Sequence, residues 1–247
     1  MLIFAKKDLK KILIISLLII CSNGFSQKTI QNQRAWFAYT GQYKIAEKWG
    51  YHIEAQFRLD DQLQQNFQNL FRIGGIYYLS TSKTISGGYA LVNTYSQSFD
   101  EYFKENRLWE QFQYSKKWYN EKNTIIHRFR LEQRWVENLN QDNSANYQNR
   151  VRYLNRNLFH IMNFKSTNEE IYAVVQNEVF LNLGDNKINN KFFDQNRFFV
   201  GLGLNYNNNI RLEVGYLNHF IASSTSNNVM NHTVSVSLIQ NLDLRKH

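Results

Sequence analysis

From Ile125 to Trp135 the chain alternates, with Arg128, Arg130, Glu132 and Arg134 at one parity and Ile125, Phe129, Leu131 and Trp135 at the other. Successive side chains of a strand point to opposite faces, so the run predicts a β-strand with one charged and one apolar face. The same alternation runs through Arg34–Tyr43, Lys48–Leu59, Phe67–Leu79, Thr84–Tyr95, Glu105–Tyr119, Asn123–Glu137, Asn149–Ile161, Glu170–Leu183, Phe192–Tyr206, Ile210–Phe220 and Asn231–Leu242. Most of these segments have ten residues or more, against the five or six typical of soluble strands. A ten-residue strand tilted by about 40° rises about 25 Å, the height of an outer-membrane apolar band.

The connections sort by length as well. Short ones at Ile45–Glu47, Ser80–Lys83, Asn120–Lys122, Asn163–Asn168 and Asn207–Asn209 alternate with longer ones at Asp60–Asn66, Ser96–Lys104, Asn138–Gln148, Gly184–Lys191 and Ile221–Met230. Short turns at one end and longer loops at the other are expected of a membrane barrel. The expected fold class is all-β, a single antiparallel transmembrane β-barrel of about 10–12 strands with a polar lumen. Eleven segments conflict with the even strand number of bacterial single-chain barrels. Either a twelfth strand is hidden, or Arg34–Tyr43 stands outside the wall and ten strands close.

Two registers fit this alternation. Aromatics inward and charges outward would make a soluble, lipocalin-like carrier; the reverse makes a membrane barrel. Arg on a lipid face costs about 2–4 kcal/mol near the bilayer midplane, so in a membrane the charges must face the lumen. That parity assigns Arg58, Arg72, Arg107, Arg128, Arg130, Arg134, Arg150, Arg152, Arg156, Arg197, Glu54, Glu132, Glu178 and Glu213 to the lumen. Trp49, Tyr51, Ile53, Phe57, Phe198, Val200, Leu202, Leu212, Val214, Val234 and Leu238 face outward, and Trp49, Trp118 and Tyr119 flank short turns, where aromatic girdles belong. Glu110 breaks the pattern by sharing the parity of Leu108 and Phe112; either a bulge re-aims it or the register differs there.

Residues 1–26 read as an export signal: Lys6, Lys7, Lys10 and Lys11, an apolar run from Ile12 to Ile20, and Gly24-Phe25-Ser26 as the cleavage site. Residues 27–247 then form the barrel domain, located in the cell outer membrane. The one cysteine, Cys21, lies in the signal, and the bulky Ile20 before it disfavours lipidation, so the mature chain has no thiol for catalysis or metal binding. Formal charge is +9 and about +6 without the signal, but the arginines sit singly at alternate strand positions, and nucleic acid is not an expected partner. Proline is absent, which suits long unbroken hydrogen-bond ladders and equally an AT-rich genome.

The runs Glu105-Asn106-Arg107-Leu108-Trp109-Glu110-Gln111, His127-Arg128-Phe129-Arg130-Leu131-Glu132-Gln133-Arg134 and Arg150-Val151-Arg152-Tyr153 resemble the E-x-R-x-W-x-Q, R-x-R-x-E-x-R and R-x-R-Y runs of an uncharacterised bacterial family, domain-of-unknown-function family 2490. The likeness extends from Trp36 over the mature chain. It implies an outer-membrane β-barrel-like protein of unassigned function and brings no catalytic or ligand residues. The C-terminal Leu244-Arg245-Lys246-His247 departs from the aromatic ending usual in outer-membrane proteins.

No phosphate-binding loop, nucleophile elbow, zinc motif or calcium loop occurs, and no cofactor, metal or catalytic residue is expected. A hydrolase site at the lumen mouth would need His219 beside Thr233, Ser235, Ser237 and Glu213. The inward charges fit two roles, Arg–carboxylate crosslinks that brace the wall or a narrow path that concentrates small anionic solutes. Outer-membrane lipid and such solutes are the expected partners of a monomer.

Overall fold

The computed structural model describes residues 28–60, 65–141, 144–164, 169–184, 188–207, 209–223 and 227–245. The expected export signal, with Cys21, lies outside them. Eleven strands form among the described residues: β1 Thr29–Lys44, β2 Trp49–Asp60, β3 Gln65–Tyr78, β4 Lys83–Ser96, β5 Glu101–Trp118, β6 Asn123–Glu137, β7 Ala145–Asn163, β8 Glu170–Leu183, β9 Phe193–Tyr206, β10 Ile210–Ile221 and β11 Asn228–Asp243. Each pairs antiparallel with its sequence neighbours, and β1 closes on β11 to complete a barrel. No strand edge is left free, which is the way a sheet satisfies all its backbone groups without a covering layer.

The even count expected of a bacterial barrel is corrected here. Arg34–Tyr43 lies in the wall as part of β1, no twelfth strand enters the closed order, and eleven strands close. A meander with an odd number of strands brings its first and last strands together in the same direction. β1 and β11 accordingly pair in parallel from Thr29↔Asn228 to Lys44↔Asp243. Parallel ladders are slightly weaker per residue, and side chains support this one. Asn32 Nδ2 donates to Asn231 Oδ1 at 3.1 Å, and the Tyr39 and Tyr43 hydroxyls donate to Gln240 Oε1 at 2.8 and 2.9 Å. Thr29 therefore stands at the loop end of the barrel and Asp243 at the short-turn end.

Strands outrun the alternation at both ends, so the sorted connections are closer in length than expected. β4 reaches Ser96 and β5 begins at Glu101; β7 begins at Ala145, within the segment read as a loop to Gln148. Register shifts occur at Arg58/Leu59, His160/Met162 and Phe180/Leu181. β5 and β6 pair without a shift around Glu110, so the suggested bulge is absent and Glu110 points outward. Its carboxylate accepts a bond from Gln133 Nε2 at 3.2 Å.

The two faces separate by chemistry. Ile53, Phe57, Phe71, Ile73, Leu108, Phe129, Val200, Leu202, Val214 and Val234 are exposed around the outside. Aromatic pairs mark both rims: Tyr43–Tyr51, Trp49–Tyr77 and Trp118–Phe159 toward the short turns, Tyr95–Tyr102, Trp135–Tyr147 and Phe193–Phe220 toward the loops. The buried residues are largely charged or polar, with one inward apolar cluster of Trp36, Tyr172, Val174, Phe199 and Leu217.

Candidate functional site

The structure places all fourteen sequence-assigned charges on the inner face, buried or lining the cavities. Glu132 of β6, with no exposed surface, is the centre of the largest group. Its Oε1 accepts from Arg152 Nη1 at 2.7 Å and its Oε2 from Arg150 Nη2 at 2.7 Å. Arg72 Nη2 and Arg130 Nη1 approach Oε1 at 3.6 and 3.9 Å. Arg152 also donates to Glu178 at 2.7 Å, which takes a second bond from Arg128 at 2.6 Å. Arg72 pairs with Glu54, and Arg156 with Glu213, which accepts a 2.7 Å bond from the Tyr172 hydroxyl.

Several of these pairs join strands that are not neighbours. Arg72 on β3 reaches Glu132 on β6, Arg128 on β6 reaches Glu178 on β8, and Arg156 on β7 reaches Glu213 on β10. Such chords hold the cross-section from inside, which hydrogen bonding along the wall does not do.

Glu105 and Asp194 complete the net and were absent from the sequence-assigned set. Glu105 takes Arg107 at 2.6 and 2.9 Å on its own strand and Arg134 from β6, and Asp194 takes Arg150 at 3.2 Å. Glu105 was legible, since it shares the parity of Arg107. The three runs that carry the family resemblance are in fact the inward faces of β5, β6 and β7. Glu105, Arg107, Trp109 and Gln111 meet Arg134 and Arg130 of β6, with Gln111 Oε1 accepting from Arg130 Nη2 at 2.6 Å, and Glu132 meets Arg150 and Arg152 of β7.

Aromatic rings carry part of the charge. Arg72 and Arg130 lie over Trp109 at 5.7 and 5.3 Å, Arg150, Arg152 and Arg197 over Phe180 at 5.2, 4.4 and 4.6 Å, and Arg58 and Arg197 over Trp36 at 3.7 and 4.8 Å. These contacts offset the loss of hydration of a buried guanidinium.

The packed net leaves two cavities. One of about 680 Å³ opens toward the short turns and is lined by seven cations, Lys44, Arg128, Arg130, Arg152, Arg156, Arg197 and Arg211, against Glu54, Glu178, Glu213 and Asp243. The other, about 220 Å³ toward the loops, has eight arginines in its lining against the single carboxylate of Glu105. The two cavities share Trp36, Gln56, Arg152 and Arg197, which form the layer where they meet.

Two of the residues considered for hydrolysis, His219 and Glu213, are otherwise engaged. His219 stands opposite Asn231 and bonds Gln195 Oε1 at 3.0 Å, while Glu213 is held by Arg156 and Tyr172.

No curated protein matches the chain. Among solved structures, the NanC porin in a rhombohedral crystal form is similar at 11% identity, over 80% of this chain and 92% of that one, with a TM-score of 0.47. A family model described as a protein of unknown function, DUF2490, matches residues 33–230, and the chain belongs to that family.

Proposed function

We propose that the protein is exported to the outer membrane, inserts there as a monomeric barrel, and admits small anionic solutes to its lumen, with no catalytic role. The inversion of the two faces carries this reading: apolar side chains surround the wall between two aromatic rims, and charged ones fill the interior. An apolar belt of this extent is far larger than the patches of soluble monomers. A soluble carrier of apolar ligands would need the opposite arrangement. The excess of cations around both cavities favours anions, because a low-dielectric wall strengthens their attraction.

The protein is expected in outer-membrane fractions, migrating differently on gels when loaded cold or boiled in SDS. A freely soluble periplasmic protein would overturn the reading. In planar bilayers the expected result is a small, anion-selective conductance; cation selectivity would sink the passage role. A silent bilayer would instead favour a second reading, a bracing strut, which the cross-lumen chords to Glu132, Glu178 and Glu213 support.

Glu110 tests the lipid face directly. It lies outward in the middle of β5, in a shallow groove with Ile85, Phe112, Phe129 and Leu131, and no cation pairs with it among the described residues. Carboxylates on a lipid face cost less than the about 2–4 kcal/mol of Arg or Lys, so Glu110→Leu should stabilise the folded barrel by about 1 kcal/mol in lipid. The check is unfolding by urea in vesicles, where an unchanged or lower midpoint would place Glu110 outside the bilayer.

A further inference from the structure

We propose that the loop-side edge of the layer where the two cavities meet is a binding site for one small oxyanion, held between the guanidiniums of Arg197, in that layer, and Arg58, in the loop-side cavity, beside the ring of Trp36. Arg197 is 9% exposed, yet its side chain donates to no acceptor among the described residues, and its Nε is buried without a partner. A guanidinium presents five N–H donors in one plane, and leaving them unmet inside a protein is costly. Arg197 packs against the faces of Trp36 and Phe180, and its cross-strand neighbour Glu178 is committed to Arg128 and Arg152. Ring contact occupies the face of a guanidinium and leaves its in-plane donors free.

Arg58 approaches the same ring at 3.7 Å. Its Nη atoms donate to Gln68 and Gln56, its Nε has no partner, and no carboxylate pairs with it among the described residues. Every other arginine of the sequence-assigned set has a carboxylate within 4 Å. Two like charges brought to one ring repel each other, and although Glu178 stands opposite Arg197 across β8 and β9, no carboxylate among the described residues comes within ion-pair distance of either arginine. A bound anion would supply the missing acceptor to both.

The ligand class follows from the donors. Two planar forks suit an oxyanion with several lone pairs directed outward, a carboxylate or a phosphate, better than a spherical halide. Arg197 lines both cavities, so the solute's remaining atoms have room on either side. The site rests on the passage reading only for solute access, and its occupancy is measurable without any current.

The test uses the mature barrel folded in detergent, titrated with inorganic phosphate and, separately, acetate at constant ionic strength made up with chloride. Calorimetry and the shift in thermal unfolding are the two readouts. Saturable binding of at least one anion is expected, with a rise in unfolding temperature. Arg197→Gln and Arg58→Gln should each weaken binding about tenfold or more. Arg197→Lys, which keeps the charge and loses the fork, should weaken it too. Lys83→Gln, at the exposed start of β4 and outside both cavities, should leave affinity unchanged. Removing an unpaired buried charge relieves repulsion, so Arg197→Gln should fold at least as stably as wild type without anion. Phosphate binding over acetate would assign a tetrahedral ligand, and the reverse a carboxylate. Absence of saturable binding by both anions, or equal affinity in the Arg197 and Arg58 variants, overturns the site. Anion-selective conductance without binding sinks the site alone; binding with a silent bilayer sinks the passage and keeps the site.

Discussion

Glu132→Gln should lower the stability of the folded barrel by about 3–5 kcal/mol, the usual cost of removing one partner from a buried ion pair. Glutamine has the shape of glutamate but not its charge, so the loss would be electrostatic rather than steric. Glu132 has no exposed surface, and it contacts Arg150 at 2.7 Å and Arg152 Nη1 at 2.7 Å while also facing Arg72 and Arg130. After substitution four guanidiniums would share Glu54, Glu178 and Asp194 at their margins. The comparison is Asp243→Asn, which breaks the exposed 2.6 Å pair with Arg245 at the short-turn end. Exposed pairs contribute about 0–1 kcal/mol, so that variant should unfold nearly as wild type does. Urea midpoints of the detergent-folded proteins measure both. Equal midpoints for Glu132→Gln and wild type would mean that the inner net does not brace the wall.

How far this net could be read in advance depends on the physics of each part. Parity alone decides which face Arg128, Arg130, Glu132 and Arg134 occupy, and the structure puts them inside. Their partners are another matter, because Arg72 meets Glu132 and Arg156 meets Glu213 across the lumen, and such chords depend on barrel curvature. The inward aromatics were not among the residues assigned to the polar lumen. Tyr172 and Phe199 share the parity of Glu178 and Arg197, which places them inside, and the rings fit because the positions they lie over on β9 and β10 are Gly203, Gly201 and Gly215.

The eleventh strand was the hardest feature to place. Thr29-Ile30-Gln31-Asn32-Gln33 has too little contrast between parities to announce a strand, and what holds it is pairing with β11, about two hundred residues away in sequence. A parallel seam leaves no local mark of the kind a hairpin turn leaves. The same lack of contrast at strand ends, where polar residues occupy both faces, explains why loops such as Ser96–Lys104 were read as longer than they are.

Gly203→Ala is expected to destabilise the barrel by about 1–3 kcal/mol, the range for overpacking a filled site. Gly203 stands directly across from Tyr172, and a Cβ there would lie 2.2 Å from Cζ, 2.5 Å from Cε2 and 2.6 Å from the hydroxyl oxygen. All three close atoms belong to one side chain, so the conflict can be removed by mutation. Tyr172 is itself 3% exposed and bonded to Glu213, and Tyr172→Ala should cost about 3–5 kcal/mol through lost burial. In the Tyr172→Ala background the clash is gone, and only the entropy of glycine in a strand remains, which favours alanine by about 0.5–1 kcal/mol. Gly203→Ala should therefore change sign, from destabilising in wild type to mildly stabilising in the variant. A double-mutant cycle on urea midpoints measures this coupling. Additive effects would mean that the ring moves aside freely, and that Gly203 is not what seats Tyr172 against the wall beside Glu213.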